Sequence, residues 1–211
     1  MSANLMSLAR SGGKFLKLFG DRKMMKRLPY DAEVEYLEST GTQWIDTGIM
    51  PTRTIKSVFD YQLTSQTAGR GLFGSYETSK NYYIYQNSAT AFEVGFGGNK
   101  SNAFMSDLYL HEIEFNNLTV LVDGKTVYTG SSYFASYKYT LPLFTIRSGN
   151  TIYKGSSAKI FYLEIYDDGV LVRDFIPVRV GTVGYMYDRV SGQLFGNSGT
   201  GDFVVGPDKT I

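Results

Sequence analysis

The chain has 211 residues, enough for one large hydrophobic core, and contains 23 glycines, 17 tyrosines, 14 phenylalanines, one tryptophan and no cysteine. The absence of cysteine excludes a disulfide framework and a thiolate metal site, and the single histidine excludes metal motifs that need two histidines. The net charge of +1 hides an uneven division, because residues 1–30 carry +6 and the remainder carries −5.

The first 29 residues are predicted to form a basic arm ahead of one domain over residues 30–211. A Ser-Gly-Gly interruption at 11–13 limits any helix in the arm to two short pieces, so the arm is expected to be partly helical or extended. Two interpretations stay open, a solvated leader or an anchor that docks into a larger assembly. The residues that would make the anchor are Arg10, Lys14, Phe15, Lys17 and Phe19.

The sequence predicts neither a secretory signal nor a transmembrane segment. No apolar stretch of signal length follows the basic residues of the arm, and no run of about 18 apolar residues occurs anywhere. Few aromatic residues lie in the arm, so nucleic-acid binding by base stacking is not expected.

After residue 33 the hydrophobic pattern takes the period of two that is typical of half-buried strands. This alternation predicts strands over residues 55–63, 92–96, 109–115 and 161–165. Predicted turns lie at Asn116-Asn117, Asp123-Gly124, Asp168-Gly169 and Ser191-Gly192. About a dozen short strands joined in this way favour an all-β, antiparallel two-sheet sandwich, in which each sheet covers the apolar face of the other.

The segment 81–87 reads Asn-Tyr-Tyr-Ile-Tyr-Gln-Asn and is the best candidate for a binding surface. Tyrosine rings stack on sugars, and asparagine amides hydrogen-bond to sugar hydroxyls, so Asn81, Tyr83, Tyr85 and Asn87 are predicted to bind a neutral glycan. A tyrosine-rich strand that only packs on its neighbours is the alternative. Trp44 is a further candidate for the same role, although core packing also accounts for it.

Two carboxylate pairs, Glu33 with Glu35 and Glu112 with Glu114, have the spacing of acids on one strand face. Neither pair has the third acid that sandwich glucanases use, so both are interpreted as solvated residues. His111 is expected to be a core-edge histidine hydrogen-bonded to the backbone, because no Gly-x-Ser-x-Gly motif offers it a nucleophile. No catalytic residue is predicted, and the chain is not expected to be an enzyme.

Four aspartates could offer oxygen ligands to calcium, but no twelve-residue loop organises them, so no cofactor is predicted and calcium stays open. They are Asp123, Asp167, Asp168 and Asp188.

Several segments resemble the concanavalin A-like, laminin G-type jelly-roll domains of phage structural proteins and gut-bacterial surface proteins. The first, residues 36–49, reads YLESTGTQWIDTGI, and the second, residues 110–125, ends in a Val-Asp-Gly-Lys hairpin. The other segments are residues 158–169, 173–177 and 184–188, so that the resemblance extends from about residue 33 to about residue 207.

The resemblance implies a jelly roll that binds glycans or proteins, often in a tail fibre or another virion appendage, and it implies a homo-oligomer. The expected function is therefore that of a non-enzymatic virion protein, which docks onto other virion proteins through its basic arm and displays the jelly roll for host adhesion to a cell-surface glycan. The alternatives are a bacterial lectin-like protein, a decoration protein without a ligand and a glycoside hydrolase. The expected location is the virion, or otherwise the cytoplasm because no signal peptide is predicted.

Overall fold

The computed structural model describes residues 28–77, 80–131 and 137–210. These residues form nineteen β-strands, and they contain no helix of the length and apolar character that crossing a bilayer requires. The strands are β1 (Ala32–Glu33), β2 (Leu37–Thr40), β3 (Ile45–Asp46), β4 (Lys56–Leu63), β5 (Arg70–Glu77), β6 (Lys80–Ser88), β7 (Ala91–Gly97), β8 (Asn99–Met105), β9 (Leu110–Asn116), β10 (Thr119–Val122), β11 (Lys125–Thr129), β12 (Pro142–Leu143), β13 (Arg147–Ser148), β14 (Thr151–Ile152), β15 (Ser157–Asp167), β16 (Val170–Val180), β17 (Val183–Asp188), β18 (Gln193–Phe195) and β19 (Val204–Val205).

The strands form two sheets that pack face to face. The larger sheet has the order β11-β10-β9-β4-β15-β16-β17-β18, with β1, β2 and β19 attached, and the smaller has the order β14-β13-β5-β6-β7-β8, with β3 and β12 attached. Neighbouring strands are antiparallel except β5 and β13, which are parallel. The expectation of an all-β, antiparallel two-sheet sandwich is therefore confirmed, whereas residues 1–27 of the predicted arm lie outside the described residues.

The core lies between the sheets because alternate residues of each central strand point inward. In the larger sheet, Phe59 on β4 lies beside Ile113 on β9 and Leu163 on β15, and all three side chains are buried. Cross-strand rows of this kind give each sheet a continuous apolar face, and burial of that face supplies the main driving force for sandwich formation.

Aromatic contacts join the two faces. The rings of Phe59 and Phe73 have their centroids 5.1 Å apart, and Tyr82 stacks on Phe115 at 4.8 Å. The Tyr82 hydroxyl crosses the core and donates a hydrogen bond to Ser57 Oγ at 2.9 Å, which satisfies a polar group that no water reaches. The even-numbered side chains at the centre of β6 are therefore committed to the core.

The strands predicted over residues 55–63, 92–96, 109–115 and 161–165 are all present. Two of the predicted turns lie at the expected residues, and a third is shifted by one residue. Asp123-Gly124 and Asp168-Gly169 are two-residue turns in which both residues have positive φ, as a type I′ hairpin requires. The turn expected at Asn116-Asn117 lies one residue later, at Asn117-Leu118, because Asn116 pairs with Thr119.

Candidate functional site

The four binding residues predicted on β6 line one pocket on the outer surface of the smaller sheet. Asn81, Tyr83, Tyr85 and Asn87 alternate with residues that face the core, so their side chains share the outward face of the strand. The pocket encloses about 480 Å³. Since β6 is hydrogen-bonded to β5 on one side and to β7 on the other, this set of side chains stands on the interior of a sheet and not on a loop.

Four tyrosines form the aromatic part of the pocket. Tyr76 on β5 lies between Tyr83, at a ring centroid distance of 5.5 Å, and Tyr153, at 6.0 Å. Tyr85 meets Tyr153 edge to face at 6.1 Å. The Tyr83 ring is 3% exposed and lies over Gly95 of β7, where an added Cβ would come within 2.6 Å of Tyr83 Cε1. Glycine at residue 95 therefore makes the space in which this ring lies flat on the sheet.

The phenols of Tyr83 and Tyr153 are neutral at physiological pH. A hydrogen bond between the hydroxyls of Tyr76 and Tyr153, together with burial, raises the pKa of Tyr153 to about 12. Burial and a hydrogen bond to Glu93 raise the pKa of Tyr83 well above its ordinary value. A neutral phenol both donates and accepts a hydrogen bond, which matches the dual character of a sugar hydroxyl.

Glu93 on β7 is the central charged residue. Its Oε1 accepts a hydrogen bond from the Tyr83 hydroxyl at 2.6 Å and lies 3.2 Å from Lys100 Nζ. Within the described ranges, no hydrogen bond from the protein reaches its Oε2. The carboxylate is thus held by two groups on one oxygen and keeps acceptor capacity on the other.

Trp44 does not lie in this pocket. It precedes β3, is half-buried against the core, and lines a second pocket of about 270 Å³ together with Thr42 and Thr200. Arg147 lies over its ring, with the guanidinium carbon 5.8 Å from the centroid. Tyr153 borders both pockets, so the five predicted binding residues belong to two adjacent pockets.

Sequence reasoning missed four of the residues that complete the first pocket, Tyr76, Glu93, Lys100 and Tyr153. Tyr76, Glu93 and Lys100 reach it through strand order, because β5 and β7 flank β6 in the smaller sheet and β8 lies beyond β7. Tyr153 follows β14 at the edge of that sheet. The alternation along β5 and β7 indicates that Tyr76 and Glu93 face outward. It does not indicate the strand pairing that brings these two residues beside Tyr83.

The carboxylate pairs considered for hydrolysis lie away from the pocket. Glu112 and Glu114 flank the buried Ile113 and project from the outer surface of the larger sheet, where Glu112 accepts a hydrogen bond from the Tyr162 hydroxyl at 3.0 Å. Glu114 Oε1 lies 3.0 Å from Lys56 Nζ.

The other predicted pair, Glu33 and Glu35, belongs to the N-terminal edge of the larger sheet, where Glu33 accepts a hydrogen bond from Tyr30 at 3.1 Å. The backbone amide of the exposed Glu35 is bonded to the carbonyl of Pro207.

Asp60 is a direct cross-strand neighbour of Glu112, which the sequence did not indicate. Burial and the nearby charge of Glu112 raise the pKa of Asp60 to about 6, against the opposing effect of the neighbouring Tyr162 hydroxyl.

The expectation that His111 bonds to the backbone is wrong. Its Nδ1 lies 2.7 Å from Asp123 Oδ2, and its Nε2 lies 2.9 Å from Asp107 Oδ1. Burial lowers the pKa of His111, but the two carboxylate hydrogen bonds outweigh that effect and the net shift is upward. The imidazole therefore braces the loop before β9 against the β10–β11 turn.

The aspartates considered as calcium ligands have separate structural partners. Asp188 is buried and accepts hydrogen bonds from three backbone amides, those of residues 174, 190 and 191, while Asp167 accepts from Thr52 and Thr54. Asp123 holds His111, and Asp168 forms its turn. Over residues 28–77, 80–131 and 137–210 no group of three or more His, Asp or Glu residues is arranged to hold a metal ion.

The predicted arm residues Arg10, Lys14, Phe15, Lys17 and Phe19 lie outside the described residues.

Comparison with known proteins gives a structural likeness. No protein-family model matches the sequence, and no curated protein matches it either. Among solved structures, the chain is similar to a "putative carbohydrate binding protein" from Bacteroides ovatus ATCC 8483, with a TM-score of 0.61 and 7% sequence identity. The match covers 84% of this chain and 61% of the other, so the chain spans less than two thirds of its neighbour's length. At this identity the likeness shows a shared fold, the two-sheet β-sandwich.

Proposed function

We propose that this chain is a non-enzymatic carbohydrate-binding module whose ligand lies on the outer surface of the smaller sheet. The observation that carries the proposal is the convergence of four tyrosines and two asparagines in one pocket, where all but Tyr153 stand on strands whose other faces are fixed in the core. Pockets that bind small molecules combine apolar surface with a few well-placed polar groups, and a pocket of 480 Å³ lies within the usual range of about 300 to 1,000 Å³.

The chemistry of the pocket suits a neutral sugar. Tyrosine rings offer apolar faces to the C–H groups of a pyranose, and their neutral hydroxyls exchange hydrogen bonds with its hydroxyls. Glu93 Oε2 adds a strong acceptor, and the exposed amide of Asn87, one of whose N–H groups already donates to Asn102, adds a donor at the rim. Glu93 is paired with Lys100 at 3.2 Å and Glu77 with Lys80 at 3.5 Å, so each of these cations is already matched by a carboxylate, and a neutral sugar fits this charge balance better than an acidic one.

The carbohydrate binding attributed to the Bacteroides ovatus neighbour supports the proposal, since both chains have the same fold. A second candidate is hydrolysis of a glycan by Glu112 and Glu114. The position of these two residues on the opposite surface, with Lys56 and Tyr162 as partners, favours a solvated role for them.

A glycan array followed by calorimetry with two matched variants tests the proposal. Tyr85→Ala should weaken binding of the strongest array glycan at least tenfold, because it removes a half-buried ring from the pocket. Tyr109→Ala is the control, since that tyrosine is 74% exposed and lies outside the pocket. The proposal fails if no glycan binds or if the two variants lose affinity equally. Release of reducing sugar by the wild type, and its loss in Glu112→Gln, would favour the hydrolase.

For the biological setting we propose a phage virion appendage, a tail fibre or decoration, in which the arm of residues 1–29 docks onto other virion proteins and the sandwich faces the host surface. The charge of +6 on residues 1–30 supports the docking role, as does the sequence resemblance described above. A homo-oligomer would add avidity to weak single sites. A bacterial lectin-like protein is the alternative, and it requires no particle.

Deletion of residues 1–28 tests the setting. The truncated chain should give the same thermal unfolding transition and the same glycan affinity as the full chain, because the described core begins after Leu28. It should fail to incorporate into particles assembled in its presence. Unchanged incorporation would contradict the docking role and leave the binding proposal intact.

A further inference from the structure

The pocket that contains Trp44 adjoins the tyrosine pocket along Tyr153. Its lining includes Trp44 and the exposed Thr42 and Thr200, together with the buried Thr145, whose hydroxyl donates to the carbonyl of Tyr153. Tyr153 stands at the common border, with its ring against Tyr76 and Tyr85 of the first pocket. A ligand that extends beyond the tyrosines in this direction therefore meets a second aromatic and polar surface.

The walls of the second pocket are fixed. The amides of Ser198 and Thr200 donate to the carbonyls of Trp44 and Thr42, at 2.8 and 3.1 Å. Gly199 lies so close that an added Cβ would be 2.0 Å from the Thr42 carbonyl oxygen and 2.8 Å from Trp44 Cδ1. Glycine is therefore required where the loop closes over the edge of the indole.

One face of the Trp44 indole is covered by a charged residue. The Arg147 guanidinium lies over the indole and is itself anchored, with Nη1 2.9 Å from Thr140 Oγ1 and Nη2 3.4 Å from Asp46 Oδ2. A cation over an aromatic face restricts the ring to one orientation. Trp44 is thus a preorganised surface, and binding to it costs little side-chain entropy.

We infer that the two pockets are consecutive subsites for one linear, neutral oligosaccharide, which passes over Tyr153 from the tyrosine pocket to Trp44. The inference rests on the proposed carbohydrate binding and adds the form of the ligand. A short glycan fills the tyrosine pocket alone, and a longer one gains the contacts with Trp44 and with the threonines. Affinity should therefore rise with chain length, and the rise should depend on the second pocket.

Because Trp44 is the only tryptophan in the chain, its fluorescence reports on the second pocket without any substitution. The probes are the disaccharides and hexasaccharides of the cello-, malto-, xylo- and chito-oligosaccharide series, measured by calorimetry and by tryptophan emission with iodide quenching. In the series that binds, the hexasaccharide should bind at least tenfold more tightly than the disaccharide. The hexasaccharide should shift the emission of Trp44 and shield it from iodide, and the disaccharide should leave both unchanged.

Thr200→Leu is the informative variant, since Thr200 is exposed, lines only the second pocket and can be enlarged without disturbing the core. It should remove the tenfold gain of the hexasaccharide and leave disaccharide affinity unchanged. Equal affinity of the wild type for the disaccharide and the hexasaccharide, or equal changes of Trp44 emission with the two, would overturn the inference. A loss of binding in Tyr85→Ala would still support the proposed function in that case. Failure of all four series to bind would reject the linear neutral ligand, and failure of the glycan array as well would reject the proposed function.

Discussion

Substitution of Gly95 by alanine should damage the stability of the sandwich and the shape of the pocket together. The added Cβ would lie 2.6 Å from Asn81 Cβ and 2.6 Å from Tyr83 Cε1, about 1 Å inside ordinary carbon contact. Asn81 Cβ is fixed to the backbone of the central strand β6, so the strain is relieved chiefly by lifting the Tyr83 ring. Overpacking of this kind costs about 1 to 3 kcal/mol, and we expect about 2 kcal/mol here.

Urea unfolding and glycan calorimetry measure the two effects. Gly196→Ala is the matched control, because its Cβ would also face a tyrosine ring, that of Tyr185, but at 3.2 Å. The control should change the free energy of unfolding by less than about 0.5 kcal/mol and leave glycan affinity unchanged. If Gly95→Ala is as stable as the control and binds the array glycan normally, then the Tyr83 ring does not depend on the space at residue 95, and our account of the pocket floor is wrong.

Three further predictions concern stability and pH. Tyr82→Phe leaves Ser57 without its buried hydrogen bond and should lower the free energy of unfolding in urea by about 1 kcal/mol, whereas Tyr109→Phe should have no effect. Asp60 has a pKa raised to about 6, so the native state binds a proton that the unfolded state has released, and the contribution of Asp60 to stability falls as pH rises from about 4 to 6. Asp60→Asn should flatten this fall in urea unfolding. At pH 7 the variant should be more stable than the wild type by about 1 kcal/mol, after allowance for the partial exposure of Asp60. The pKa of His111 is also raised, so its ion pairs stabilise the fold fully below about pH 6.5 and are lost as pH rises through the folded pKa; His111→Gln should therefore destabilise the chain more at pH 6 than at pH 9, and equal losses would contradict the assignment.

The period-two pattern was sufficient to predict the outward face of β6 and four of the nineteen described strands, β4, β7, β9 and the centre of β15. It could not predict the turn at Asn117-Leu118, because Leu118 adopts a positive φ that leucine rarely takes, and burial of Phe115 and Val120 decides the register instead. A local pattern carries no information on that competition between backbone strain and burial.

The candidate site was partly predictable, because some of its residues are brought together by local spacing and others by the order of strands. Tyr83 and Tyr85 share a face because they are two residues apart on one strand, which is a local property. Tyr76 and Tyr153 join them through the order of strands in the smaller sheet, a long-range property that no spacing encodes. His111 shows the same limit, since the acid that meets its Nδ1, Asp123, lies in the β10–β11 turn, 12 residues further along the chain.

The pocket has two parts that differ in how far their sequence can change without disturbing the fold. One part stands on β6, and the other stands on the β13–β14 hairpin, which is attached through the parallel pairing of β13 with β5. Only residues 147 and 148 form that pairing, and the β13–β14 hairpin ends the sheet, whereas β6 is held on both sides. Replacement of the hairpin and the Tyr153 segment behind it would reshape one wall of the pocket without repacking the core. A family of variants with different ligand preferences could thus be built on one unchanged platform, with selection confined to a short edge of the sheet.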